Sequence, residues 1–299
     1  MDRASRCPTA KLVGARGAAP DPVTKITVLG ATGFIGSHLV RRLDALGFDY
    51  DAPGREEDLT GRDLGAVVDC AGVTGGFRER PLDVADSHVG LVERVLRASN
   101  CESFTYLSSA GLYYGGSSPA REEDAVRLVP TDVDHLYNVA KAMGEALTLS
   151  SHPRGRVVRL ATVYGGALRS EGFLSQVLRE VVTEGETTLG MALESSRDYV
   201  DVHDAVRCLI DIAIGGRHSV YNVGSGHNVT NGQLAARLTE LTGCRVSVAA
   251  GAPQVDYPTL DVQRVREEFE FNSSKLLDDL PDLIRASREQ AFGHSGADR

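Results

Sequence analysis

The chain has 299 residues, 42% of them hydrophobic and 24% charged, with a formal net charge of −9. That length fills one large or two modest domains with a real core. The acidic balance argues against broad binding to nucleic acid or to an anionic membrane, and no apolar run reaches the roughly 20 residues of a membrane span.

Residues 1–24 are rich in Ala, Gly and Pro and carry Arg3, Arg6, Lys11 and Arg16 without the apolar stretch of a secretory signal. They are expected to be a disordered extension. Cys7, Cys70, Cys101, Cys208 and Cys244 show neither disulfide nor zinc spacing. That suits a reducing cytoplasm, and no metal site is expected.

"KITVLGATGFIGSHLVRRLDALG" (25–47) predicts strand, glycine turn and helix. Gly30, Gly33 and Gly36 stand at Gly-x-x-Gly-x-x-Gly spacing, which a pyrophosphate-binding turn needs for its sharp bend and for close backbone approach. The turn and helix start, with Thr32, Phe34 and Ile35, then offer free N–H groups and a positive dipole to the phosphates. A glycine triplet alone is weak, but between a strand and a helix it is specific.

The next strand runs "FDYDAPGR" (48–55), and its end falls at Gly54 and Arg55. A carboxylate there would bind the ribose diol of NAD, whereas a guanidinium suits the 2′-phosphate of NADP. The reading leans slightly to NADP, although Asp49 and Asp51 restore NAD if the register slips. Asp58 and Leu59 are either an edge for the adenine or a solvated acidic turn.

"GAVVDCAG" (65–72) predicts a second buried strand, with Ala71 and Gly72 at its end counted among the cofactor-binding residues. An amphipathic helix follows at 86–99, then strands at 103–111 and 156–165 with a helix from 134 between them. Strands alternating with helices imply a parallel, doubly wound α/β sheet, Rossmann-like in organisation. Past residue 165 the pattern loosens: a helix at "FLSQVLREVVTEG", a strand turning into a helix over 196–216, a short strand at "SVYNVGSG". A further helix at "TNGQLAARLTELTG" would be capped by Thr230 or Asn231 and closed by Gly243. The expected division is a dinucleotide-binding domain at 25–165 and, at 166–299, a smaller C-terminal α/β substrate-binding cap interleaved with it.

The helix "DHLYNVAKAMGEAL" (134–147) places Tyr137 one turn before Lys141, on one face. Either the ring packs and the lysine snorkels beside it, or the ammonium lowers the phenol's pKa for acid–base work.

Together these stretches resemble the extended short-chain dehydrogenases/reductases, the nucleotide-sugar epimerase/dehydratase group, from about Lys25 to Ile284. The matching motifs are "GATGFIG", "YLSSAGLYYG", "YNVAK", "RLATVYG", "RDYVDVHD" and "YNVGSGHNVTNGQLA". The resemblance implies that Tyr137 is the catalytic acid/base and that Lys141 holds the nicotinamide ribose and lowers the tyrosine's pKa. Ser109, or its neighbour Ser108, would bond the reacting oxygen, since alternate strand residues face opposite ways. Ala110 and Gly111 replace the acidic pair of the family's dehydratases, which makes 4,6-dehydration unlikely. The segment between the first and second nucleotide-binding strands is compressed, as in the family's shorter reductases. Thr162 stands where many members have asparagine beside the sugar, and one arginine of the usual nucleotide clamp is missing. Arg197 is either a phosphate ligand or an ion pair with Asp198. Tyr113 and Tyr114 line the sugar pocket or fill the core, and His88, His135 and His203 show no metal spacing.

The function implied is an NAD- or NADP-dependent enzyme acting at a sugar hydroxyl or ketone of a nucleotide-sugar, as an epimerase or a 4-ketoreductase. A reductase of non-sugar ketones and a non-catalytic dinucleotide sensor are the alternatives. Helices 86–99 and 134–150 carry apolar residues on more than one stripe, and the family commonly pairs these helices, so a homodimer is expected.

Overall fold

The computed structural model describes residues 25–165 and 172–292, and the expected N-terminal extension lies outside the described residues. Strand β1 (Ile26–Leu29) feeds helix α1 (Phe34–Leu46), followed by a two-residue strand β2 (Tyr50–Asp51) and by β3 (Ala66–Asp69). Helix α2 (Pro81–Ala85) continues through a π-helical turn, Asp86–Gly90, into α3 (Leu91–Ala98). Strand β4 (Ser103–Ser109), helix α4 (Leu136–Ser151) and strand β5 (Gly155–Leu160) complete the first half.

The chain then leaves the central sheet. The continuous strand expected over 156–165 breaks at Ala161, and its second part, β6 (Thr162–Tyr164), joins another sheet. Next come α5 (Phe173–Glu184), β7 (Glu186–Leu189), β8 (Ser196–Asp201) and α6 (Val202–Gly215). Strand β9 (Val220–Val223) returns to the central sheet, followed by β10 (Asn228–Thr230), α7 (Asn231–Thr242), β11 (Arg245–Val248), α8 (Gln263–Phe269) and α9 (Leu276–Phe292).

The central sheet has six strands in the order β2-β1-β3-β4-β5-β9, and every neighbouring pair is parallel. Parallel strands covered on both faces read as continuous apolar runs, and β1 is buried at all four positions. One face packs Leu39 and Leu43 of α1 with Leu209 and Ile212 of α6. On the other, Val92 and Val95 of α3 meet Phe104 and Tyr106 of β4. This is the expected doubly wound α/β fold. The strand order reverses between β1 and β3, where open sheets of this type form a crevice at the carboxyl ends of their strands.

A second core gathers Leu174, Val177 and Leu178 of α5, Leu234 and Leu238 of α7, and Leu280 and Ile284 of α9. Beside it lie the small sheets β10-β8-β6 and β11-β7. Helix α7 begins at Thr230 with a complete capping box to Gln233 and ends at a left-handed Gly243.

Two close fits place α4 on the sheet. A Cβ on Gly144 would stand 2.4 Å from the Tyr106 ring and 2.7 Å from the His88 carbonyl, so only glycine allows this approach. One residue on, Glu145 receives both arms of Arg159 from β5, at 2.9 and 2.7 Å. The Arg159 guanidinium also donates to the Tyr113 hydroxyl at 2.7 Å, and that hydroxyl donates to Asn222 at 2.8 Å. Tyr113 therefore fills the core, while Tyr114 is exposed and stacks on Tyr257.

Candidate active site

The glycine turn is as tight as its spacing predicts. Gly30 has φ +72°, and a Cβ there would lie 2.7 Å from the backbone of Ala71; one on Gly36 would lie 2.2 Å from the Gly30 carbonyl oxygen. The turn after β1 thus nests against the end of β3, bringing Gly30, Gly36 and Ala71 together. Gly33 is the N-cap of α1 and no side chain caps the helix. Its first-turn N–H groups, on Phe34, Ile35 and Gly36, are left for an anion. Thr32 and Gly33 are solvent-exposed at the mouth of the crevice. A cradle with these free donors fits the pyrophosphate of a dinucleotide.

On the adenine side, Asp51 ends β2 and is committed to ion pairs with Lys25 and Arg62. It is not a free ribose ligand. Arg55 is exposed on the turn beyond and pairs loosely with Asp86 at 3.7 Å. The Asp58 carboxylate accepts the Thr60 N–H at 2.9 Å, while Leu59 packs against the cluster that holds Leu29 and Val67.

At the carboxyl end of β4, Ser109 caps a short 3₁₀ turn by accepting the Gly111 N–H at 3.0 Å. Asn138 of α4 donates to the Gly111 carbonyl at 3.2 Å, which ties the helix to that turn. Burial pushes the Tyr137 phenol up to about 12, opposed by the nearby Ser109 side chain. Ser108 faces the other way, buried and with no hydrogen-bond partner. Lys141 donates to the Leu107 carbonyl at 2.5 Å and lies over the Tyr106 ring at 4.9 Å and the Tyr137 ring at 5.8 Å. Burial holds its ammonium below the usual lysine range. Burial outweighs the contact that would lower the phenol.

Two further side chains flank Tyr137: His88, which the sequence marks only as lacking metal spacing, and Phe77, which no motif marks. The His88 ring meets Tyr137 edge-on at 5.4 Å and bonds the Val73 carbonyl at 3.0 Å. Phe77 stands 6.1 Å away, with the Arg78 guanidinium over it and Arg78 paired to Asp134 at 2.6 Å. The helix expected from Asp86 starts earlier, at Pro81, a first-turn proline suited to a helix start. Phe77 lies in the loop before it, which carries no periodic signal.

In the second half, Arg197 of β8 lies between the Phe173 and Tyr257 rings, at 5.2 and 5.5 Å. The ion pair with Asp198 is absent. Asp198 is buried and instead accepts Ser225 N–H and hydroxyl bonds at 2.9 and 2.6 Å and the Gly226 N–H at 2.8 Å. Thr162 opens β6, half-buried, opposite Tyr199 of β8.

The family model described as "NAD dependent epimerase/dehydratase family" matches residues 26–224. The chain belongs to this family. Two curated relatives are dTDP-4-dehydro-6-deoxy-D-allose reductases. The one from Streptomyces sp is 27% identical, covering 87% of this chain and 95% of that protein. The one from Streptomyces bikiniensis is 25% identical with the same coverage. Among solved structures, "MoeE5 in complex with UDP-glucose and NAD" superposes with a TM-score of 0.78 at 24% identity, covering 89% of this chain and 99% of that one. That likeness concerns the fold. As a member of the family, the chain is an extended short-chain dehydrogenase/reductase, and the turn at Gly30–Gly36 has the tight geometry and free N–H donors that suit a pyrophosphate.

Proposed function

We propose that the protein is an NAD(P)-dependent ketoreductase of a nucleotide-activated sugar, acting at a 4-keto group. The observation that carries this reading is the Ser109 and Tyr137 side chains brought near one another at the end of β4, with a buried Lys141 over the Tyr137 ring. The reductase names of the two curated relatives support reduction over epimerisation. The phenol keeps its proton at neutral pH and can serve as a general acid.

The dinucleotide, when bound, supplies the hydride. Tyr137 donates its proton to the carbonyl oxygen as negative charge develops there. The Ser109 hydroxyl donates a hydrogen bond to the same oxygen. Lys141, held by Leu107, places a positive charge behind the phenol and stabilises it once the proton has left. Gly30, Thr32, Gly33, Phe34, Ile35 and Gly36 hold the phosphates, Ala71 and Gly72 line the crevice, and Asp58 and Leu59 border the adenine. The second core and its small sheets act as the substrate cap. Arg197, a guanidinium without an ion pair among the described residues and flanked by two rings, takes a phosphate of the nucleotide, and Thr162 faces the sugar.

The test is stopped-flow and steady-state turnover of NADPH and NADH with dTDP-4-dehydro-6-deoxy-D-allose, the keto-sugar in the names of the two curated relatives. Oxidised cofactor should be released at every turnover. Cofactor that stays bound with no net oxidation, while the sugar changes configuration, would make the protein an epimerase instead. Tyr137→Phe should bind dinucleotide normally and lose roughly 10²–10⁴-fold in kcat. Arg55 supports NADP as cofactor, and Arg55→Ala should weaken NADPH while sparing NADH. Equal effects on the two would remove Arg55 from cofactor choice.

A further inference from the structure

We propose that Asp69 is a positioning residue of this site: its buried carboxylate is the counter-charge that keeps Lys141 an ammonium. Asp69 ends β3 and is fully buried. One oxygen accepts the Ala71 N–H at 3.0 Å, and the other, Oδ2, has no hydrogen-bond partner. A buried ionised carboxylate left without a cation is strongly unfavourable.

The charges packed between α4 and the sheet leave one pairing open. They are Lys141 and Glu145 from α4, Arg159 from β5 and Asp69 from β3, all nearly or fully buried. Glu145 and Arg159 satisfy each other through two bonds, which leaves Asp69 and Lys141 to balance one another. They share a face of the sheet. Asp69 is the register partner of Tyr106 across the β3–β4 ladder, and Lys141 lies over the Tyr106 ring at 4.9 Å.

The other titratable groups around the pair do not replace Asp69. The Tyr106 hydroxyl donates to the His88 carbonyl at 3.3 Å. Burial keeps His88 and the Cys70 thiol neutral, and Tyr137 keeps its proton. Burial raises Asp69 and lowers Lys141, and each charge opposes the other's shift. Deleting the carboxylate therefore moves Lys141 further down, so the ammonium behind Tyr137 is lost at a lower pH.

The kinetic arm of the test rests on the reductase reading. In Asp69→Asn, which keeps an acceptor for Ala71, the alkaline limb of the kcat profile should move down by about one pH unit. The KM for the keto-sugar should not change. A loss of the same factor at every pH would mark Asp69 as merely structural and overturn the proposal. A second arm uses the ligand-free protein and stands apart from any activity. The ¹³C carboxyl resonance of Asp69, assigned through its own backbone, is titrated in wild type and in Lys141→Met. The proposal requires the midpoint to rise by about one pH unit when the ammonium is removed. An unmoved midpoint in a folded Lys141→Met, checked by circular dichroism, refutes it even if the reductase assay succeeds. Should Asp69→Asn fail to fold, this titration decides alone.

Discussion

His88 stores an acid sensitivity beside the site. It is fully buried, and burial together with the Lys141 charge lowers its pKa to about 3. Between its ordinary value of 6.5 and that lowered value, the unfolded chain takes up a proton that the folded protein refuses. The stabilisation is complete above pH 6.5 and falls as the pH drops, by about 1.4 kcal/mol per unit well below that value. His88→Gln should therefore show a shallower fall of thermal midpoint from pH 6 to 4 than wild type. Parallel slopes would mean that the ring is protonated in place. Nothing in the spacing of His88 marked it, because its partners Val73 and Tyr137 come from a loop and a helix far along the chain. Asp69 did carry a signal, a carboxylate closing an apolar strand, where a buried charge needs a partner. Tyr137, Lys141 and the glycines were legible because their spacing within one helix or one turn is itself the geometry.

Elements whose signal is local and periodic came out close to their expected bounds. Strand β1 and helix α7, with both its caps, are examples. Others depended on contacts no local pattern contains. Strand β6 leaves the central sheet because Thr162 to Tyr164 pair with Tyr199 to Asp201 of β8. Helix α9 carries Pro281 within its first turns, which interrupts the periodicity. The π-helical turn at Asp86–Gly90 places His88 against the site, as such insertions often do at functional positions. The fit of α4 is the element most open to test. Gly144→Ala would drive a methyl into the buried Tyr106 ring and the His88 carbonyl, and such overpacking costs roughly 1–3 kcal/mol. The same displacement would draw Lys141 from the Leu107 carbonyl. Expected outcomes are a lower thermal midpoint and a kcat reduced more than KM is raised. A variant as stable and active as wild type would show that α4 has slack against the sheet.

Among the described residues, three exposed apolar side chains stand on α2 and α4. No described helix is long and apolar enough to cross a membrane, so exposed apolar residues call for another reason where they cluster. Leu82 of α2 is 82% exposed, and Met143 and Leu149 of α4 are 49% and 39% exposed. Not every apolar residue of the helices expected to pair is free for an interface. Leu91, Leu96 and Leu147 pack against the cluster under the sheet. What remains is narrower, and it extends to α2, which lies N-terminal to the expected helix. The second core does not include these residues. A homodimer that pairs α2–α3 and α4 with their copies would cover them, and a shared two-fold face is the commonest way a soluble chain does so. Sedimentation velocity at micromolar concentration should find a dimer. Met143→Asp together with Leu82→Asp should give a monomer, since a charge at the centre of such a face must be desolvated to pair. Both substitutions lie on exposed positions, so the monomer should keep its fold and bind dinucleotide. Wild type that sediments as a monomer would remove the dimer.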